Sequence, residues 1–343
     1  MHTVCLGVTK NFLNYLYSSL QPAKRRVLNQ RARNFKLPFE FQRSVRGLDQ
    51  ISYFKASEFK MWLLYVAPVV TFGLLNETLT DLLWKFSYAI RYLLETDELL
   101  RECDQLINDF CAGFAALDQN EQTFNLHSLR HLTWQVRNYG PLWTASCFAF
   151  ESAHHSLVSA FTGSVNHLRL TVERYLTKKS LLYVDIDNDA LYDLTTELAR
   201  GRKKFGHGHL KDSEDVKKLR DRSSSVSARE VLNGVAYDSV SDTNSQINSF
   251  VSFLPNGPEQ LSFGQIIAFF VRAGRQFCLV EQYSVDRAFT CPGAELLPCA
   301  FYHMTTTRER IDVPCDRISG KLIAFSLEQQ NFFIKLSSHF DHN

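Results

Sequence analysis

Apolar positions recur at intervals of three and four through the first half of the chain, which predicts amphipathic helices packed on one another. Val4, Leu6, Val8, Phe12, Leu13, Leu16 and Leu20 form the first stripe, and Pro22 interrupts it. A second helix carries Phe59, Trp62, Leu63, Tyr65 and Val66, with Ser57 as its expected cap. Thr78 is the expected cap of a third, whose stripe is Leu79, Leu82, Leu83, Phe86, Ile90, Leu93 and Leu94. Thr96 and Asp97 precede a fourth, with Leu99, Leu100, Cys103, Leu106, Ile107, Phe110, Phe114 and Leu117. A further helix over about Asn125 to Asn138 stops at Gly140-Pro141. Another follows Gly163, with Val165, Leu168, Val172, Tyr175 and Leu176.

From about Asn233 the period shortens towards two. Phe250 to Leu254, Gln265 to Val271, Phe277 to Tyr283, Leu322 to Ser326 and Phe332 to Leu336 are rich in β-branched and aromatic residues. Turn signals stand at Pro255 to Pro258, Ala273-Gly274 and Ser319-Gly320. The pattern predicts an α+β chain, mainly helical over 1–180, a polar linker over 181–232, and a small antiparallel β barrel or sandwich over 233–338.

Composition adds little to this picture until charge is mapped. Of 343 residues, 45% are hydrophobic and 22% charged, as in an ordinary globular protein. The net charge of +2 is unevenly placed, with eight Lys or Arg between Lys24 and Arg46 against the single Glu40. That segment contains Leu37-Pro38-Phe39 and is expected to be partly extended; Lys24, Arg25, Arg26, Arg31 and Arg33 are its candidates for DNA phosphate contact. The alternative is a solvated connector. A second basic tract runs from Arg200 to Arg222, and its string Arg200 to Lys204 has the composition of a nuclear import signal. Asp185, Asp187 and Asp189 lack the glycine and distal Glu of a calcium loop and read as a polar turn. The eight cysteines form no C-x-x-C pair, which points to reduced thiols in an intracellular protein. The longest apolar run, Met61 to Leu75, is interrupted by Pro68 and Gly73, whereas a membrane span needs about 20 unbroken residues. No membrane partner is expected.

Candidate chemistry concentrates between Asn125 and Gly163. His127 and His131 stand four apart on one helical face. With His154 or His155 they would make a zinc site, yet no cysteine or carboxylate supports that spacing, and hydrogen bonding to the segment around Glu151 is the expected role. Glu151 follows Phe148-Ala149-Phe150, which favours a partly buried carboxylate, although an acid early in a helix is also a common cap.

The strings NLHSLRHL, YGPLW and SCFAFES, with MHTVCLGVTK and the FKASEFKMWLLYVAP block from Phe54 to Pro68, resemble the back half of transposases of the CACTA (EnSpm-like) group. The resemblance covers roughly residues 1–178. It implies an RNase H-like core with a helical insertion, here about 25–140, and a D-D-E carboxylate set holding two Mg²⁺ ions for phosphoryl transfer. It assigns Glu151 as the third carboxylate and His2 as the histidine of an Asp-x-x-His motif whose aspartate would fall before Met1. One carboxylate cannot hold a metal pair, so the expectation is a truncated or domesticated nuclear protein that binds DNA without cleaving it, needs no cofactor of its own, and can self-assemble. A non-catalytic scaffold, with the β module reading peptide, chromatin or nucleic acid, is the alternative.

Overall fold

The structure is a computed structural model and describes residues 2–38, 41, 43–147, 154, 157–158, 167–180, 213–232, 235–240, 249–255, 261–291, 299–327 and 330–337. Glu151 and His155 lie outside the described residues. The chain divides into two compact units, one of Met1–Ser146 with Gly208–Asp341 and one of Cys147–His207 with His342–Asn343.

The first unit begins with a π-helical segment, Thr3–Thr9, which runs into α1 (Lys10–Ser19). Pro22 then starts α2 (Pro22–Asn34) instead of merely breaking the chain. Its ring fixes φ near the helical value and its missing N–H costs nothing at the first position. The basic stretch expected to be partly extended is therefore helical to Asn34, and irregular only beyond it.

A 3-10 turn, Leu48–Tyr53, leads to α3 (Ala56–Met61), a π-helical segment Trp62–Val66, and α4 (Ala67–Val70). The wide π turn carries the chain up to Pro68, which lacks an N–H and cannot continue a regular ladder. Every residue from Trp62 to Val70 is buried. Lys55, not Ser57, stands at the start of α3, where the Glu58 carboxylate accepts from Lys55 N–H at 2.9 Å.

The long helices α5 (Glu77–Glu95) and α6 (Leu100–Leu117) form the heart of the bundle. Asn76, not Thr78, caps α5, its Oδ1 accepting from Leu79 N–H at 2.9 Å. Phe86 and Phe110 stack with centroids 4.2 Å apart. Phe12 meets Phe86, Phe110 and Phe114 edge-on at 6.3, 5.1 and 5.0 Å. A Cβ on Gly113 would sit 2.6 Å from Leu82 Cδ2, so the glycine permits the close approach of the two helices. Each fully buried aromatic in this cluster contributes about 1.5–3 kcal/mol of transfer energy.

The single helix expected over Asn125 to Asn138 is two, α7 (Phe124–Leu129) and α8 (Leu132–Tyr139). Gly140, at φ +83°, ends α8 as its Gly-Pro signal predicts.

The segment expected as linker up to Leu232 carries α10 (Glu214–Arg222), β1 (Ser225–Ser227) and β2 (Arg229–Leu232). β3 (Val235–Asp238), β4 (Phe250–Phe253), β5 (Ser262–Arg272), β6 (Arg275–Phe289), β7 (Phe301–Pro314), β8 (Ile318–Leu327) and β9 (Gln330–Lys335) follow. Seven strands form an antiparallel sheet in the order β1-β5-β4-β8-β9-β7-β6, and β5 also pairs with β6; β2 and β3 form a separate hairpin. Ala273 and Gly274, at φ +52° and +75°, make the predicted turn between β5 and β6. Ser319-Gly320 is not a turn and lies inside β8.

Helices and sheet share one hydrophobic interior in this unit. Trp84 of α5 stacks on Phe289 at 6.0 Å and meets Phe301 edge-on at 5.0 Å, while Phe35 stacks on Phe325 at 4.9 Å. The buried Arg91 guanidinium donates to Lys335 O and lies 5.2 Å over the Tyr65 ring. Tyr65 OH in turn accepts from Ser337 N–H at 3.4 Å.

In the second unit, the helix following Gly163 is α9 (His167–Ser180). Its apolar stripe faces outward, with Leu168, Val172 and Leu176 all exposed.

Candidate DNA-contact surface

Three of the blocks that carry the sequence resemblance meet in space. The Thr3–Thr9 segment packs against both α3 and α7, elements drawn from three separate strings. Gly7 lies flat on Asn125, where an added Cβ would come within 2.8 Å of the amide carbon. Cys5 is fully buried on the same segment, and Lys60 of α3 is buried near enough to feel its charge. Burial pushes the Cys5 thiol up to about 12 and pulls the Lys60 ammonium below its ordinary value. These groups hold the junction together and face inward. At the rim Asn11 Nδ2 donates to Glu121 Oε2 at 2.9 Å.

Two runs of sequence that contain no acid contribute to this junction through the Thr3–Thr9 segment and α7. Glu40 is the first acidic residue of the chain, and none separates Glu121 from Glu151. Along them His2, Lys10, His127, Arg130, His131 and Arg137 are exposed. Phe124, Trp134 and Tyr139 are also exposed, the last two in edge contact at 6.2 Å. Lys10 escapes attention in a search for basic clusters because no other Lys or Arg stands before Lys24. The length of the acid-free run around it is the signal that would have found it.

The predicted phosphate contacts on α2 divide. Arg25 donates to Ser18 O at 2.5 Å and Leu20 O at 2.8 Å, closing the end of α1, and lies 5.1 Å over the Tyr17 ring. Arg31 donates to Val70 O at 3.1 Å and Phe72 O at 2.7 Å, and Lys24 to Leu74 O at 2.7 Å. These three satisfy carbonyls that helix termini leave without partners. Arg33 pairs with Asp49. Arg26 is exposed and has no ion-pair partner among the described residues.

His127 and His131 are brought together, their Nε2 atoms 3.2 Å apart on the surface of the α7–α8 corner. His154 is exposed and belongs to the second unit. The implied magnesium pair needs converging carboxylates. Among the described residues no group of three or more His, Cys, Asp or Glu is placed to hold an ion. The described residues therefore do not fit that pair, and no metal-dependent step is derived for them. No helix among them is long and apolar enough to cross a membrane.

No family model, curated protein or solved structure matches the chain.

Proposed function

We propose that this chain is a transposase-like protein that contacts DNA phosphates along the surface where the Thr3–Thr9 segment meets α7. The observation that carries the reading is the convergence of three of the resemblance-bearing blocks on that junction, with Lys10 exposed on one side, Arg137 on the other, and no acid within either run of sequence. Cations without competing carboxylates release DNA counterions at full effect, whereas a paired cation such as Arg33 contributes less. Exposed aromatic rings beside them suit stacking on unpaired bases. A nuclear site of action and assembly of two or more copies on DNA belong to the same reading.

The RNase H-like core enters this proposal only through its helices, since the strands among the described residues begin at Ser225. In it, α5 and α6 belong to the helical insertion, and Glu151 and His2 are inherited positions with no assigned step. The β region is read as a small closed barrel. Phe250, Phe263, Tyr283, Tyr302, Leu322 and Phe333, from β4, β5, β6, β7, β8 and β9, meet in one cluster. A strand cycle closed by the β5–β6 pairing accounts for that. One side of it packs on the helices through Phe301, Phe325 and Phe332, which favours a structural part over a detached reader module.

The test is fluorescence anisotropy of a labelled duplex and a labelled single strand across a salt series. Binding whose logarithm falls linearly with log salt supports the proposal; absent or salt-independent binding contradicts it.

A further inference from the structure

We propose that His127 and His131 form a surface site for a first-row transition ion of the zinc, nickel or copper kind, with the remaining coordination positions open to solvent. The two residues bracket the break between α7 and α8, where Arg130 N–H still donates to His127 O at 3.1 Å and His131 N–H to Ser128 O at 3.2 Å. The chain thus keeps helical spacing across the break and holds both rings on one side. Their Nε2 atoms are 3.2 Å apart.

That separation suits chelation. Two nitrogens each about 2.05 Å from a shared ion, and 3.2 Å from each other, subtend roughly 100° at it, close to the tetrahedral angle. Rings radiating from such an ion have centroids roughly 5 Å apart, against about 5.5 Å for rings meeting head-on. The observed centroid separation is 5.0 Å. Both rings are exposed, so an arriving ion gives up only the waters that the two nitrogens replace and keeps the rest on the open side. Arg130, the intervening cation, is turned towards Cys111, whose thiol it hydrogen-bonds.

Without metal, one imidazole donates its Nε2–H to the other. For the ion to bind, the donor ring gives up its Nε2 proton to solvent and carries its hydrogen on Nδ1 instead, so that both Nε2 lone pairs face the ion. Neutral imidazole selects borderline ions and leaves hard Mg²⁺ to oxygen ligands. The site is therefore independent of any inherited carboxylate chemistry.

Calorimetric titration of the full chain with Ni²⁺ tests this. One equivalent should bind, with affinity at least tenfold weaker in His127→Gln and equally in His131→Gln. His154→Gln and Cys147→Ser should bind as the parent does, and Mg²⁺ should give no heat. Absence of binding by the parent chain, affinity within twofold of it in either ring variant, or loss in Cys147→Ser overturns the proposal. Both rings are exposed, so unchanged thermal melting of the variants separates loss of ligation from loss of fold.

Discussion

Two sets of cations in the helical half have the same chemistry and opposite employment. On α2, Lys24, Arg25 and Arg31 turn back to carbonyls at the ends of other helical turns. Around the junction of the Thr3–Thr9 segment with α7, Lys10 and Arg137 are exposed in the neighbourhood of exposed aromatics, in runs of sequence that contain no acid. The density of charge in a sequence thus locates cations without saying whether they are already spoken for. Helix ends generate carbonyls that need donors, and a basic helix lying across several such ends is drawn into supplying them.

The contrast breaks most severely if the common interior goes. Phe12→Ala removes the ring that meets Phe86, Phe110 and Phe114 and should cost about 3–5 kcal/mol in urea unfolding, abolishing both surfaces together. Arg31→Ala leaves the carbonyls of Val70 and Phe72 to water and should cost about 1–2 kcal/mol while leaving the salt slope of DNA binding unchanged. A salt slope reduced by one with no loss of stability would place Arg31 in the other set.

Buried thiols sharpen the same division by pH. Burial pushes Cys5 and Cys103 up to about 12, from an ordinary value of 9.0. Their folded values are raised, so this contribution is fully present below pH 9 and is lost as the unfolded chain ionises above it. At pH 10 each thiol should cost about 1.4 kcal/mol of stability, and Cys103→Ala should flatten the alkaline decline by that amount. The smallest stability effect belongs to the exposed set. Arg137→Ala should change unfolding by less than about 0.5 kcal/mol while lowering the DNA salt slope by about one.

Much of the helical half was legible because three-and-four spacing survives wherever a helix has one wet face. Stripes such as Leu79 to Leu94 are buried as read. These two caps were misplaced by two residues each, since Asn76 and Lys55 compete with the nearby hydroxyls of Thr78 and Ser57 and sequence does not rank them. Five strands were visible from their apolar content. β7 was not, because its centre, Thr305 to Arg310, is exposed and polar, and its partner across the ladder fixes it instead. The split of α7 from α8 has no glycine or proline to mark it. Among the site residues, spacing alone placed His127 against His131, while the roles of Lys24, Arg25 and Arg31 depended on carbonyls 5 to 50 positions away.

The central claim, that DNA lies on the junction of the Thr3–Thr9 segment with α7 and not along α2, is tested most directly by reversing the charge of Lys10 and removing that of Lys24. Duplex affinity of Lys10→Glu and Lys24→Met should be compared by anisotropy at fixed salt, with circular dichroism confirming that both variants are folded. The account predicts a loss of at least tenfold for Lys10→Glu and a change within threefold for Lys24→Met. A folded Lys10→Glu protein that binds as tightly as the parent, beside a Lys24→Met protein that does not, would contradict it.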